Sequence, residues 1–226
     1  MTDIWKDFDL DLGVDDVLRG QGADPDLMRN RRPALVRAAE RALAEGMSKI
    51  RPLALVGEFH VVDRRHERVL LEGGTALTGL LVSHHLSGAK RITAALVTIG
   101  PVLENVASRL TGKDPVLALA LDGLGNAAVE QVGRQVCGRI GDWAQAKGMQ
   151  ASTPLSPGSP EWPVEIGQPQ IFALLEPERA GIQITAGGMM FPQKSISFVT
   201  GIGSDMAQTH PCEVCSLKEV CRYRNV

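Results

Sequence analysis

The chain has 226 residues, with 24 basic and 26 acidic side chains and a formal net charge of -2. A chain of this length buries roughly 70% of the surface its unfolded form exposes, so its core needs no disulfide or metal staple. The near balance of charge excludes a global field that would recruit nucleic acid or an anionic membrane, and partners must be read from local features.

No apolar run reaches the roughly 20 residues that a membrane span requires. The N-terminal MTDIWKDFDLDLG is acidic where a signal peptide would be basic and then apolar. The expectation is a cytoplasmic protein that touches neither nucleic acid nor membrane. Four cysteines do not make a disulfide scaffold in that compartment. Three of them, Cys212, Cys215 and Cys221, crowd into the last fifteen residues, and Cys137 stands apart.

In chain order, a short apolar and acidic start leads to a one-turn helix over 15–19, ended by Gly20 and Gly22. Asp24 is placed to cap a second helix with Pro25 at its first position. From Pro33, Leu35, Ala38, Ala39, Ala42, Leu43 and Met47 keep helical spacing, and Gly46 and Pro52 mark the end. Residues 53–63 (LALVGEFHVVD) and 68–71 (RVLL) read as two strands of a hairpin across the charged turn DRRHE. Leu77, Leu80, Leu81 and His84 share one helical face, and 92–99 is a continuous apolar run expected to be a strand buried on both sides.

Pro101 opens a helix to about Leu110, and a long helix is predicted from Pro115 to about Lys147. The latter carries Gly123, Gly125, Gly133, Gly138 and Gly141. Each costs up to about 1 kcal/mol against alanine, so close approach by neighbouring backbone, or a break, is expected there. A proline-rich stretch follows at 154–163 (PLSPGSPEWP), then a short helix over 170–175 and strands over 181–185 and 195–203. No internal repeat or low-complexity tract is present. Alternating strands and helices with a hairpin predict a mixed α/β layer structure.

Two blocks carry more specific information. The stretch SPGSPEWP at 156–163, followed by IFALL at 171–175 and GIQITAGGMMFPQKSIS at 181–197, resembles the S-adenosylmethionine-binding reactivation domain of cobalamin-dependent methionine synthase. Pro157, Gly158 and Pro160 match the Pro-Gly-x-Pro loop of that family. Gly181 and Thr185 match its next strand, and Met190, Pro192, Ser195 and Ser197 its later block. The resemblance implies an α+β fold, a twisted and largely antiparallel sheet flanked by helices. This domain would cover 1–207, with 1–50 as an N-terminal helical part and 208–226 as a short Cys-rich tail.

It further implies an accessory protein that supports reductive reactivation of a corrinoid protein or methionine synthase, the cobalamin being carried by that partner. Ligand contacts would come from Ser156, Pro157, Gly158 and Ser159, from Glu130 on the long helix, and from Thr185 and Met190. The chain departs from the family in having Pro154 where an arginine stands and Ser159 where a tyrosine stands. A guanidinium is a permanently charged planar fork suited to a carboxylate, and proline cannot replace it. That puts S-adenosylmethionine binding in question.

The tail HPCEVCSLKEVCRYR spaces its thiols Cys-x2-Cys-x5-Cys, with His210 two residues ahead and Arg222 and Arg224 behind. Three thiolates this close repel one another, and a metal or cluster would stabilise them. Zinc wants four ligands, with His210 as the fourth. A 4Fe-4S cluster also wants four, from Cys137, His210 or an exogenous ligand. Similar tails on stand-alone relatives of the reactivation domain favour iron-sulfur over zinc. Free thiols on a flexible terminus are the bland alternative.

The remaining candidates carry less. His84 and His85 adjoin on one helix and point about 100° apart, which predicts one buried and one solvated. His60 and His66 read as surface residues, and Cys137 as a small core residue. GLGNAA at Gly123 lacks the preceding strand of a phosphate-binding loop. The leading reading is reactivation support, with an iron-sulfur tail as a possible electron donor. The rivals are a non-catalytic S-adenosylmethionine- or corrinoid-binding module with a structural zinc tail, and a scaffold that binds only protein.

Overall fold

The computed structural model describes residues 2–159, 161–206 and 219. Strand β1 (Thr2–Trp5) is followed by helices α1 (Val14–Gly20), α2 (Pro25–Arg31) and α3 (Pro33–Gly46). Strands β2 (Leu53–Arg65), β3 (Arg68–Leu71) and β4 (Ala76–Thr78) precede the short α4 (Leu80–His85) and strand β5 (Arg91–Thr98). Helices α5 (Val102–Leu110) and α6 (Pro115–Ala146) lead to β6 (Gln150–Ala151), α7 (Val164–Leu174), β7 (Gln183–Ile184), β8 (Met190–Phe191) and β9 (Ser195–Gly203).

The main sheet has seven strands in the order β4-β3-β2-β5-β9-β6, with β1 paired to β2 as well. All its pairings are antiparallel. β2 is long enough to hold two neighbours on one side. Its first half pairs with β1 (Thr2↔Gly57 to Trp5↔Ala54), and its second half with β3 beyond a register shift between Val61 and Asp63. The expected hairpin is therefore present and continues two residues further, to Arg65.

Side chains alternate across the sheet, and both faces are covered. One face presents Val56, Ala95, Val97, Phe198 and Ile202 to α1, α3, α5 and α6, which together form one core cluster. The other presents Leu55, Ala94, Leu96 and Val199 to α4, α7 and Trp162. Burial on both sides is why β5 reads as an unbroken apolar run rather than an alternating one, with seven of its eight residues buried.

α6 runs 32 residues without a break. Its glycines divide by what faces them. A Cβ on Gly123 would lie 2.5 Å from Gln21 Cγ and 2.6 Å from the Val17 carbonyl, and one on Gly133 would lie 2.5 Å from Ile196 Cδ1. These two admit α1 and β9 closely, whereas nothing lies within 4 Å of a Cβ built at Gly138 or Gly141. Alongside, the segment after β1 is strapped to the helix: Gln131 and Gln135 donate to the carbonyls of Asp11 and Asp9 at 2.9 and 2.5 Å, and Arg139 to that of Asp7.

Three sequence expectations fail locally, the strand expected over 181–185 being confined to Gln183–Ile184. Leu77 lies in β4 and not on the helix that carries Leu80, Leu81 and His84. The intervening Gly79 has φ +142°, which no helix accommodates. The short helix expected over 170–175 is longer and begins at Val164, with Pro169 inside it. Pro163 stands immediately before the first helical turn, and Pro169 omits one internal N–H without ending the helix. Asp24 caps α2 as expected, accepting from the N–H groups of Asp26 and Leu27 at 2.9 and 3.1 Å.

Candidate functional site

The proline-rich stretch is held from three sides. Leading into it, residues 150–155 run along β9, the first two of them as the edge strand β6. The Ser152 N–H donates to the Gly201 carbonyl at 2.8 Å, and Leu155 and Val199 exchange backbone hydrogen bonds of 2.9 Å in each direction. His85, 7% exposed, contacts the Thr153 carbonyl through Nε2 at 2.8 Å. A carbonyl only accepts, so this nitrogen carries the proton. His84 is exposed, so the two adjacent histidines divide as their spacing predicts.

Inside the stretch, the Gly158 N–H donates to the Trp162 carbonyl at 2.8 Å, that of Ser159 to Ser156 at 3.1 Å, and that of Trp162 to Ser159 at 3.0 Å. Gly158 has φ +95°, a left-handed conformation that glycine adopts without a Cβ clash. The third hold is Trp162, wholly buried, whose indole Nε1 donates to Gln170 Oε1 at 3.2 Å. Gln170 in turn donates through Nε2 to Thr78 Oγ1 at 2.5 Å and accepts from the Thr78 N–H at 3.2 Å. Burying an indole removes about 200 Å² from water, roughly 5 kcal/mol as an upper estimate, so this residue fixes the stretch as a rigid loop and not a linker.

The second block forms the hairpin of β7 and β8, paired Gln183↔Phe191 and Ile184↔Met190. Thr185 closes its turn: its N–H donates to the Met189 carbonyl at 2.9 Å, and its Oγ1 accepts from the Met189 N–H at 3.1 Å. The turn and the proline loop meet at one side chain. A Cβ on Gly158 would lie 3.3 Å from Val164 Cγ2, and one on Gly188 (φ +79°) 3.0 Å from Val164 Cγ1. Ser156, Pro157, Gly158 and Ser159 thus lie on the loop, and Thr185 and Met190 on the hairpin beside it. Met189 (64% exposed) and Phe191 (50%) on the hairpin and Ile166 (47%) on α7 are exposed apolar side chains.

Glu130 stands elsewhere. It lies on α6, against the sheet face opposite to α7, and its ion-pair partner is Arg134 at 4.0 Å. Burial pushes its carboxyl above the ordinary carboxylate range, against the pull of Arg134. Among the described residues no hydrogen bond or ion pair joins it to the proline loop. His210, Cys212, Cys215 and Cys221 lie outside the described residues. Among the described residues no group of three or more His, Cys, Asp and Glu side chains is arranged to hold a metal. Cys137 sits partly buried on α6, where burial raises its thiol from about 9.0 to about 11.

The charge of the loop segment itself is one-sided. From Ser152 to Pro177 the sequence contains no lysine, arginine or histidine, but does contain Glu161, Glu165 and Glu176. No guanidinium is offered by this segment to a ligand carboxylate, and the N–H groups of Gly158 and Ser159 are already used within the loop. Sequence reasoning missed Trp162, Gln170, Val164 and His85 as the residues that build the site. The one available signal was a tryptophan among prolines, the type of large apolar side chain that anchors a loop.

This helix-covered antiparallel sheet matches the fold of a methionine synthase reactivation domain. Among solved structures, the chain is similar to that of the MetH reactivation domain bound to AdoHcy, with a TM-score of 0.68 and 16% identity. The match covers 93% of this chain and 81% of that one. No protein-family model matches the chain, and no curated protein matches it. Among the described residues no helix is long and apolar enough to cross a membrane.

Proposed function

We propose that the chain is an accessory protein of corrinoid-dependent methyl transfer, which docks on a corrinoid protein or methionine synthase and supports its return to the reduced state. The reading rests on one observation: the fold of the reactivation domain extends over 93% of the chain. The convergence of the proline loop and the Met190 hairpin at Val164 adds to it, because the two blocks that resemble the family in sequence are adjacent in space.

The contribution is redox or docking support rather than methyl donation. The solved neighbour holds AdoHcy. Here Pro154 replaces the arginine that the family resemblance assigns to the ligand carboxylate, and residues 152–177 contribute acidic side chains and no basic one. The residues present do not fit an amino-acid carboxylate at that position. The exposed apolar side chains Met189, Phe191 and Ile166 on these elements favour instead an apolar partner surface such as a corrin face.

The thermodynamic difficulty in reactivation is the low potential of the cobalt, where each roughly 59 mV of unfavourable one-electron potential costs tenfold in population. An iron-sulfur cluster on Cys212, Cys215 and Cys221, with His210 as the candidate fourth ligand, would supply a low-potential electron. Its support is the spacing of those residues in the sequence. The alternative assigns the same residues to structural zinc in a non-catalytic binding module.

Anaerobic purification with metal analysis and a visible spectrum separates these. Iron and sulfide with absorption near 400 nm support the electron-transfer form, and stoichiometric zinc without iron refutes it. Calorimetry with S-adenosylmethionine is expected to show a Kd weaker than about 100 µM, near -5.5 kcal/mol. Tighter binding would return methyl donation to the chain.

A further inference from the structure

The segment between β1 and α1 carries a strand edge that the fold does not use. Its side chains alternate: Asp7, Asp9 and Asp11 are exposed, while Phe8, Leu10 and Leu12 are half-buried against the core beside α6. Its carbonyls alternate as well. Those of Asp7, Asp9 and Asp11 accept from Arg139, Gln135 and Gln131, which stand four residues apart on α6. Four helical residues rise about 6 Å and two extended residues about 6.6 Å, so helix and segment run in step. A period of two in both features marks an extended backbone.

In such a backbone the N–H and C=O groups of successive residues point to opposite sides. Those of Phe8, Leu10 and Leu12 therefore point away from α6, and among the described residues they enter no hydrogen bond. An open strand edge is a template for a further strand. Its charge selects the occupant. The carboxylates of Asp7, Asp9 and Asp11 share one face, and no ion pair among the described residues includes them. A second copy of the chain is disfavoured, because antiparallel self-pairing lays Asp9 against Asp9 and Asp7 against Asp11, and like charges directly opposite destabilise.

We propose that residues 7–12 dock an extended segment of a protein partner by antiparallel strand addition, the segment carrying lysine or arginine at every second position. Its basic side chains lie opposite Asp7, Asp9 and Asp11, at the non-hydrogen-bonded positions where side chains approach most closely. Its intervening residues exchange hydrogen bonds with the outward groups of Phe8 and Leu10. The edge lies on the α6 face of the sheet, whereas Trp162 and α7 occupy the other, so the outcome leaves corrinoid reactivation unchanged.

The test is a titration of the nitrogen-15-labelled full chain with the acetylated, amidated peptide VKVKVKV, beside VEVEVEV. The basic peptide should shift the amide signals of residues 7–12 with a Kd below about 1 mM at low salt, and the acidic one should bind at least tenfold more weakly. N-methylation of its interior valines, which removes the donors that face the edge, should weaken binding at least tenfold. Asp7→Asn with Asp9→Asn and Asp11→Asn should do the same, since only the backbone of these residues holds the segment to α6. Glu165→Gln beside the proline loop should leave binding unchanged. A Kd weaker than about 1 mM, equal affinity for the two peptides, or binding indifferent to the methylated valines overturns the assignment. So does binding at least threefold tighter in Arg222→Glu with Arg224→Glu, which would give the edge to the chain's own C-terminal segment.

Discussion

Replacing Trp162 by alanine tests whether the proline loop is built or merely tethered. The indole is fully buried and donates to Gln170, which is itself bonded twice to Thr78. Removing about 200 Å² of buried surface at about 25 cal/mol per Å² costs roughly 5 kcal/mol, and the retained methyl returns about 1, leaving a loss near 4 kcal/mol. Large aromatic-to-alanine changes in cores measure about 3 to 5 kcal/mol, in agreement. For a chain of this size that lowers Tm by about 8 to 16 °C. Urea unfolding followed by circular dichroism reads the difference directly, and Trp162→Phe should lose clearly less than Trp162→Ala. A loss under about 1 kcal/mol for the alanine variant would show that the loop stands without its anchor and that the hydrogen-bond chain to Thr78 is incidental.

Other outcomes follow from the same packing. Gly123→Ala should destabilise by about 1 to 3 kcal/mol because its Cβ meets Gln21 and the Val17 carbonyl. Gly138→Ala, in open space on the same helix, should stabilise by up to about 1 kcal/mol, and denaturation midpoints of the pair check both signs. Iodoacetamide at pH 8 should leave Cys137 unmodified in the native protein, since a thiol titrating at about 11 is almost entirely protonated there, and peptide mass spectrometry after quenching shows it. Because the folded thiol titrates above the unfolded one, its neutral burial is a source of stability that is complete below about pH 9 and declines toward pH 11, a decline that Cys137→Ala should lessen. Asp114 has the opposite sign. Its carboxylate accepts from the Leu117 N–H at the start of α6 and pairs with Arg41, which hold its carboxyl below the ordinary range. The Tm deficit of Asp114→Ala should therefore be full near neutral pH and vanish as pH falls through the folded titration, which lies below the ordinary carboxylate range.

What was legible in the sequence had a local physical cause. α2, α3, α5 and α6 announce themselves by proline at the first turn or by helical spacing of Ala and Leu, and β5 by its long apolar run. β1, β4, β6 and β8 run four, three, two and two residues, too short to show a period, and exist because a neighbouring strand offers a ladder. The proline and methionine blocks could be singled out by composition, but their meeting at Val164 could not, since that contact is set by how α7 packs on the sheet. The strap of Gln131, Gln135 and Arg139 on alternate carbonyls is invisible for the same reason: each partner is an anonymous backbone group more than a hundred positions away.

Corrinoid reactivation is tested most directly by following, anaerobically, the visible spectrum of a corrinoid protein held with its cobalt oxidised while reductant is supplied with or without the chain. The account predicts that stoichiometric chain raises the rate or extent of reduction severalfold, and that Met189→Glu together with Phe191→Glu on the hairpin abolishes the effect while circular dichroism remains native. Reduction indifferent to the chain, or equally stimulated by the hairpin variant, would contradict it.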